Sequence, residues 1–295
     1  SVNGNQNFRR NYEPLLPGCF HVPAPYTYRN PFDETDPVRL GELCARALEE
    51  EILFQGPDTV AAFIAEPVLG AGGTIVPPAN FFPLVRAICD KYGVLLIADE
   101  VVTGFGRTGA LFGTRLWGVQ ADLWCLAKGI SSGYVPLGAT AVSQKVAAVF
   151  EGDESGAAQI AHGYTYSAHP VAAAAALASL KILVEEDIPG HVAKVGPAFQ
   201  QRLRGLVQRH DFVGDVRGKG LMLGIEMVAD KATKATLPKT NDLPARIARA
   251  AYRRGLMVRV SGANLILSPP LVITESELDF LCGTLEAAFD EAAGR

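Results

Sequence analysis

Residues 94–99 read Val94-Leu95-Leu96-Ile97-Ala98-Asp99, a continuous apolar run that ends in a carboxylate. A second run of this kind, residues 123–127, is followed by Lys128. Apolar runs without alternation are typical of parallel strands that helices cover on both faces. In such sheets, ligand sites lie beyond the carboxyl ends of the strands. We therefore predict an α/β fold in which Asp99 and Lys128 face one crevice.

The regions around these two runs extend the predicted sheet. Strands are predicted at 60–65 and 138–142, and apolar residues at helical spacing predict helices at 38–52 and 78–92. Because strands alternate with helices or long crossovers, we predict a mostly parallel sheet in a large domain that spans residues 1–175. The first 35 residues are rich in proline, so we expect them to be irregular but ordered.

A second domain is indicated by a change in the sequence pattern, which begins at the alanine-rich helix predicted for 170–184. The remainder predicts helices near 190–208 and 243–254, strands near 220–228 and 256–260, and a closing helix from Glu275. This mixture predicts a smaller α+β C-terminal domain over residues 176–295.

Composition excludes several classes of protein. The chain has 295 residues, with 27 Lys and Arg against 31 Asp and Glu, a net charge of −4. This balance provides no basic field for phosphate backbones, so we expect no nucleic-acid partner. Five scattered cysteines without a Cys-x-x-Cys pair predict no metal site and a reducing compartment, so we expect a cytoplasmic protein. The apolar runs fall far short of the roughly 20 residues that a membrane span needs, so we expect no membrane association.

Asp99 and Lys128 are the candidates for chemistry, since each places a charge at the edge of an apolar sheet. A lysine there can form a Schiff base, and a carboxylate can keep a pyridine nitrogen protonated so that the ring accepts electrons. This pair is what pyridoxal phosphate chemistry requires. A simple salt bridge between Asp99 and Lys128 is equally compatible with the spacing, which does not decide between the two.

Four blocks of sequence, in order, carry a resemblance to a known family. They are residues 63–68 (FIAEPV), 96–107 (LIADEVVTGFGR), 121–129 (ADLWCLAKG) and 163–170 (GYTYSAHP). Together they resemble the class III aminotransferases, and the resemblance runs from the first residues to the last. It implies the pyridoxal-phosphate fold type I, pyridoxal 5′-phosphate as cofactor, and a homodimer.

The resemblance also implies roles for single residues. Lys128 is expected to form the Schiff base and then to move the proton between substrate and cofactor. Asp99 is expected to bind the pyridine nitrogen, and Val101 to pack against one face of the ring. Thr165 is expected to reach the phosphate of the neighbouring subunit. Without the resemblance, the favoured interpretation would be core packing for Val101 and a turn residue ahead of the next helix for Thr165.

Two further residues bear on the substrate. Arg259, placed at the end of the strand predicted near 256–260, matches the mobile arginine that pairs with a substrate carboxylate in amine–pyruvate members, a task that suits a planar bidentate donor. Ornithine- and 4-aminobutyrate-type members resemble each other in placing their arginine where this chain has Ile266, and its glutamate partner where this chain has Ala71. Both departures favour the amine–pyruvate subgroup. Glu66 is a candidate for the pocket floor, although a carboxylate bonded to backbone is at least as good an interpretation.

The family normally begins upstream with a phosphate-binding turn and an aromatic residue that stacks on the cofactor. Neither motif is present in this chain, so we expect it to be N-terminally incomplete. The predicted function is transfer of an amino group from an amine or ω-amino acid to a keto acid such as pyruvate. Alternatives are an aminomutase or epimerase of the same family, or an inactive truncated homologue.

Two rival motifs are weaker. Residues 104–109 fit G-x-G-x-x-G, the fingerprint of dinucleotide-binding dehydrogenases, but five residues separate them from the strand and no helix pattern opens there. Residues 129–133 fit G-x-S-x-G, which would make Ser131 a hydrolase nucleophile, but Gly133 and Pro136 interrupt the helix that should follow.

Overall fold

A computed structural model describes residues 1–294 and contains two separate sheets. The first has four strands in the order β1 (Ala62–Ala65), β2 (Leu95–Asp99), β3 (Leu123–Leu126) and β4 (Ala139–Val142). The first three are parallel, so the prediction of a mostly parallel sheet is confirmed. Strand β4 is antiparallel to β3, because the link between them holds only a short 3-10 turn instead of a crossover helix.

Two helices near the start of the chain pack on this sheet. Helix α1 (Pro37–Gln55) begins where the side chain of Asp36 accepts from the amide of Arg39, with Pro37 at the first helical position. Helix α2 (Phe81–Tyr92) ends at Gly93, which adopts a left-handed conformation. Their apolar faces and strand β2 bury one continuous core; its members include Leu40, Leu48, Phe82, Val85, Leu96 and Ala98. Helix α3 (Gln144–Glu151) follows strand β4.

The second sheet is entirely antiparallel, with the order β5 (Val213–Lys219), β6 (Met222–Asp230), β9 (Asn264–Leu267) and β8 (Arg259–Ser261); β7 (Ala235–Thr236) pairs with β6. The helices of this half are α4 (Pro170–Glu185), α5 (Ile188–Arg204), α6 (Leu206–Arg209), α7 (Leu243–Arg253) and α8 (Glu275–Ala292). Strands β5 and β9 were not predicted, because charged and glycine residues interrupt β5 and β9 has only four residues. The domain boundary at residue 175 stays a prediction.

The two faces of the second sheet differ in chemistry. One face packs against α5, α7 and α8 in an apolar core that contains Val216, Ile225 and Leu265. The other face carries polar side chains, and residues of the N-terminal segment and of the loop at 70–74 lie against it. The N-terminal segment is irregular but ordered there, as its prolines predicted.

The residues between β2 and β3 connect the two halves of the molecule. Arg107 donates from Nη1 to the carbonyl oxygens of Leu221 (3.1 Å) and Pro269 (2.6 Å), and its own carbonyl accepts from the amide of Leu221 (3.1 Å). The two halves are therefore held together by backbone contacts as well as side chains. Over residues 1–294, no helix combines the length and the apolar character needed to cross a bilayer.

Candidate active site

Asp99 and Lys128 lie at the carboxyl ends of the neighbouring parallel strands β2 and β3. Asp99 is the last residue of β2 and pairs in register with Cys125, and Lys128 opens the 3-10 turn Lys128–Ser131 just after β3. Within residues 1–294, no ion pair joins Asp99 to Lys128, so the salt-bridge alternative is wrong for this structure. The half-buried carboxylate and the exposed amine are both left open to a ligand.

The backbone at Lys128 has an unusual conformation. Its φ is +45°, in the left-handed region that residues with a side chain rarely adopt. The next residue must be small, because a Cβ at Gly129 would lie 2.9 Å from Cβ of Phe105. This close approach fixes the turn that carries the lysine against the loop that follows Asp99. Such outliers are a reason to look for function at the site.

Glu66 joins these two residues. Its Oε2 accepts from the amide of Gly70 at 2.8 Å, so the backbone-bonded interpretation is correct for this carboxylate. Burial raises the pKa of Glu66 above its usual value, and the neighbouring Asp99 adds to the rise, while the Gly70 amide and Lys128 oppose it. These contributions place Glu66 within electrostatic reach of both Asp99 and Lys128. The proposed contact of Glu66 with substrate stays a prediction.

Glu100 was not among the predicted residues, yet it fixes the backbone between Asp99 and Val101. It is fully buried, and its two carboxylate oxygens accept from the amide of Gly113 (2.7 Å), the amide and hydroxyl of Thr114 (2.8 and 2.9 Å) and the hydroxyl of Thr103 (2.5 Å). The amide of Val101 donates to Oδ1 of Asp99 at 3.1 Å. The only feature of the sequence that pointed to Glu100 was its place directly after Asp99 in the stretch Asp99-Glu100-Val101-Val102.

Thr165 is in the segment that leads into α4. It starts an exposed turn just before α4. In the part of the chain that the structure describes, no hydrogen bond joins Thr165 to Lys128, Asp99 or Glu66. Helix α4 itself contacts the Lys128 turn, and the hydroxyls of Ser132 and Ser179 are 2.7 Å apart. Thr165 is thus exposed beside the site, and its expected contact with a second subunit stays a prediction.

Arg259 begins strand β8, whereas the sequence pattern placed it at the end of a strand that starts near residue 256. The preceding residues, Leu256 and Met257, only lead into the strand after α7 ends. Arg259 is exposed and pairs in register with Ile266 of β9. Residues opposite each other in an antiparallel pair project from the same face. An arginine at either position would therefore reach out from the same part of the sheet.

The two rival motifs do not have their required structures. Residues 104–109 form turns that lead to Gly113–Trp117, a 3-10 turn, so no helix N-terminus faces a pyrophosphate there. Ser131 is buried, and its hydroxyl donates to the carbonyl of Val135 at 2.7 Å. It is therefore not an exposed nucleophile on a strand-to-helix elbow.

Comparison with known proteins agrees with this geometry. The family model for class III aminotransferases matches residues 1–289. The chain belongs to the class III aminotransferase family. Among solved structures, this chain is 51% identical to an amine transaminase from an uncultivated Pseudomonas species in a PLP-bound form, with a TM-score of 0.96 over 99% of this chain and 66% of that one. The predicted fold type I is thereby confirmed.

Two other relatives are named for different substrates. An (S)-enantioselective omega-transaminase from Thermomicrobium roseum is 43% identical, with a TM-score of 0.92 over 98% of this aminotransferase and 64% of that chain. Gamma-aminobutyrate transaminase 1, mitochondrial, of Oryza sativa subsp. indica is 40% identical over 281 residues, 95% of this chain and 54% of that protein. The aminotransferase described here spans about half the length of that curated relative.

The residues present fit pyridoxal phosphate, the cofactor of class III aminotransferases. A protonated pyridine nitrogen needs a carboxylate, and Asp99 is half-buried without a cation bound to it in residues 1–294. The aldehyde needs an amine that is available to react, and no ion pair within residues 1–294 involves Lys128. The donor set at the ends of β2 and β3 therefore matches the two polar ends of the cofactor ring.

Proposed function

We propose that this aminotransferase moves an amino group from an amine or ω-amino acid to a keto acid such as pyruvate. The observation that carries the proposal is that the amine of Lys128 and the carboxylate of Asp99 lie at adjacent strand ends and that neither has an ionic partner within residues 1–294. When bound, pyridoxal phosphate supplies an electron sink for the carbon next to the amino group. All other tasks fall to residues of the chain.

Lys128 holds the cofactor through its Nζ atom and, once released, carries the proton between the two carbons that exchange the amino group. Asp99 keeps the pyridine nitrogen charged, and Val101 packs on the ring that Asp99 orients. Arg259 binds the substrate carboxylate as a planar bidentate donor. Glu66 lies on the pocket floor, where its interaction with both Asp99 and Lys128 supports a role near the amino group.

The proposal favours amine–pyruvate chemistry over 4-aminobutyrate chemistry. Its support is the pair Arg259 and Ile266, since the carboxylate-binding arginine is on β8 and the opposite position on β9 is apolar. The relative from Oryza sativa leaves 4-aminobutyrate as an amino donor to be tested beside simple amines. An aminomutase or epimerase would share Lys128 and Asp99, but it would convert its substrate without consuming a keto acid.

Lys128→Ala tests the assignment of the lysine. With pyridoxal phosphate and borohydride, we expect the wild-type chain to gain one reduced adduct that maps to Lys128, and the variant to gain none at that peptide. Turnover of β-alanine or benzylamine with pyruvate should fall by at least about a thousandfold in the variant, as when a covalent catalyst is removed. Lys239→Ala, a change at another exposed lysine, is the matched control. Undiminished transamination by Lys128→Ala would remove the lysine from the mechanism.

We also propose that a second copy of this chain covers the exposed apolar surface around Lys128 and Thr165. Large apolar side chains in the turn after Lys128, in the segment around Thr165 and on α4 are more than 60% exposed; they are Tyr134, Ile160, Tyr164, Tyr166, Val171 and Leu177. Large exposed apolar surface on a soluble protein marks an interaction site. A dimer through this surface would bring the Thr165 of one subunit toward the site of the other. The exposure of Thr165 beside α4 supports this arrangement.

Sedimentation velocity over a range of concentrations tests the dimer. We expect a dimer for the wild-type chain and a shift toward monomer for Leu177→Glu, because a buried charge opposes association. Leu53→Glu, an equally drastic change at an exposed leucine of α1, should leave the dimer intact. A wild-type monomer at all concentrations would contradict the proposal.

We also propose that the protein is cytoplasmic. All five cysteines are free thiols, which is typical of proteins from a reducing compartment. Fractionation of the source cells with detection of the chain tests it, and recovery from an oxidising compartment would contradict it.

A further inference from the structure

Arg217 is the centre of a buried polar cluster that the proposed chemistry does not use. Its side chain is only 9% exposed on strand β5. Nη1 donates to Asp215 and Glu226, both at 2.9 Å, and Nη2 donates to Oδ1 of Asn264 at 3.0 Å. The planar, rigid fork of arginine makes these three contacts possible at once. Arg217 therefore links β5, β6 and β9 by side chains as well as by the sheet.

The cluster also holds the N-terminal segment. The hydroxyl of Tyr26 donates to Glu226, Nε of Arg29 donates to the same carboxylate at 2.7 Å, and the Arg217 guanidinium lies 4.7 Å from the centre of the Tyr26 ring. Two arginines and two carboxylates balance in charge. Because a buried pair without its partner is costly, this cluster specifies one arrangement of its segments.

The sheet register places Arg217 and Arg259 in one row. Arg217 pairs with Gly224 of β6, Gly224 pairs with Ile266 of β9, and Ile266 pairs with Arg259 of β8. Residues in register project from the same face, so both arginines are on the polar face of the sheet, three strands or about 14 Å apart. Asn264, which Arg217 holds, is two residues from Ile266 and also lies on this face.

The loop that supports Glu66 covers Gly224, the position next to Arg217 in this row. A Cβ at Gly73 would lie 2.9 Å from Nη2 of Arg217, and a Cβ at Gly224 would lie 2.7 Å from the carbonyl oxygen of Gly73. The backbone of this loop therefore lies directly on the sheet beside Arg217. At its other end, the amide of Gly70 donates to Glu66.

We propose that Arg217 is a positioning residue for substrate binding: it holds the β8–β9 hairpin through Asn264, with the loop at 70–74 packed against it, so that Arg259 faces the substrate carboxylate. The inference rests on the proposed function, because it assigns the carboxylate to Arg259. Arg217 itself does not touch the substrate. Lysine at this position would keep the charge but could not make all three contacts, so Arg217→Lys should loosen the hairpin.

The first readout needs no turnover. In hydrogen exchange of the cofactor-free chain, we expect Arg217→Lys to accelerate exchange of the amides at 261–267 and 70–75 by about tenfold, the loss of one charged hydrogen bond. In the Arg217→Lys variant, borohydride reduction should still give the same adduct at Lys128 as in wild type. Arg202→Lys is the matched control, since Arg202 also bridges two carboxylates, Asp279 and Glu286, but at the surface of α5 and α8.

The second readout separates positioning from general stability. With pyruvate as acceptor, Arg217→Lys should lower kcat/KM for β-alanine about tenfold and that for benzylamine less than about twofold. In an Arg259→Ala background the same change should have no further effect on β-alanine, because both residues act through one contact. Asn264→Ala should cause the same selective loss of kcat/KM for β-alanine. Asn264→Asp keeps the oxygen that accepts from Arg217 and should behave like wild type. These two variants replace Arg217→Lys as the test if Arg217→Lys does not fold.

Equal losses for both amines, an additive loss in the Arg259→Ala background, or unchanged exchange at 261–267 would each overturn the positioning role. If the wild-type chain forms no adduct at Lys128 and shows no turnover, the proposed function fails. Hydrogen exchange would then still show whether Arg217 holds the hairpin.

Discussion

At the scale of single residues, the site depends on charges that are left unpaired. Lys128 and Asp99 have no ionic partner in residues 1–294. Glu100, the residue after Asp99, instead accepts four hydrogen bonds. A fully bonded buried carboxylate fixes backbone, because each lost hydrogen bond would leave a buried group unsatisfied. The two kinds of acid differ in role although they are adjacent in sequence. Asp99 is available to a ligand, and Glu100 fixes the backbone that carries Asp99.

Glu66→Gln tests the environment of the third acid. Because burial raises the pKa of Glu66 in the folded chain, the folded state holds this proton more tightly than the unfolded state. The resulting stability is complete below the ordinary value of 4.5 and is lost as the pH rises through the folded-state pKa. A glutamine side chain does not titrate, so the variant should gain unfolding free energy relative to wild type as the pH rises above 4.5. Denaturant unfolding of the cofactor-free chain at a series of pH values measures this.

A Glu66→Gln difference that does not vary with pH over this range would show that the carboxyl of Glu66 is as well solvated as in the unfolded chain.

At the scale of elements, strand β2 is held from the side by Asp122. Its Oδ2 accepts from the amide of Leu96 at 2.8 Å and from Nη1 of Arg86 on α2 at 2.8 Å. Burial alone would raise the pKa of Asp122, but these two hydrogen bonds outweigh it and lower the pKa. One carboxylate thus joins the central strand, a helix and the start of β3, and so fixes the strand that ends in Asp99.

Asp122→Ala should lower the unfolding free energy by about 2–3 kcal/mol at neutral pH, because a buried amide and a guanidinium lose their acceptor. Asp90→Ala removes the other carboxylate of the same Arg86, but at an exposed position, and should cost less than about 1 kcal/mol. Since the pKa of Asp122 is lowered, the wild-type advantage should hold above pH 3.8 and decline as the pH falls through the folded-state pKa. Equal costs for the two alanine variants would refute this role.

At the scale of the whole molecule, the halves meet through backbone that leaves no space for side chains. Gly220, in the turn between β5 and β6, has φ +57°, and a Cβ there would lie 2.5 Å from the carbonyl carbon of Thr108 and 2.6 Å from the carbonyl oxygen of Arg107. The loop that begins at Asp99 is thereby pressed against the second sheet. This contact sets the sheet that carries Arg259 relative to the strand that carries Asp99.

Gly220→Ala should therefore destabilise the chain much more than Gly262→Ala. Gly262 has nearly the same φ, +59°, but no atom within 4 Å of the added carbon. The strain of a left-handed alanine, about 1 kcal/mol, is common to both variants. The clash occurs only at Gly220, so we expect Gly220→Ala to lower the free energy of unfolding by at least about 2 kcal/mol more than Gly262→Ala does. Midpoints of urea unfolding measure the difference, and matching midpoints would mean that the two halves separate easily here.

The amino-acid sequence by itself determined the elements and chemistry that depend on local pattern. Unalternated apolar runs specified the buried strands β2 and β3, apolar residues at helical spacing specified α1, and the order of four motifs identified the family. The residues at the two strand ends were found because a charge after an apolar run is visible in one dimension. The strands β5 and β9 were missed, since charged and glycine residues interrupt the pattern of β5 and β9 has only four residues.

Only the tertiary structure decided which distant residues meet. Tyr26 and Glu226 are 200 positions apart, and no local pattern predicts that Arg217 binds Asn264 while it stands in one row with Arg259. The absence of an ion pair between Asp99 and Lys128 was likewise undecided by spacing. The physical reason is that hydrogen bonds and ion pairs require distances of about 3 Å, and long-range packing sets those distances, whereas hydrophobic periodicity specifies only which face of an element is buried.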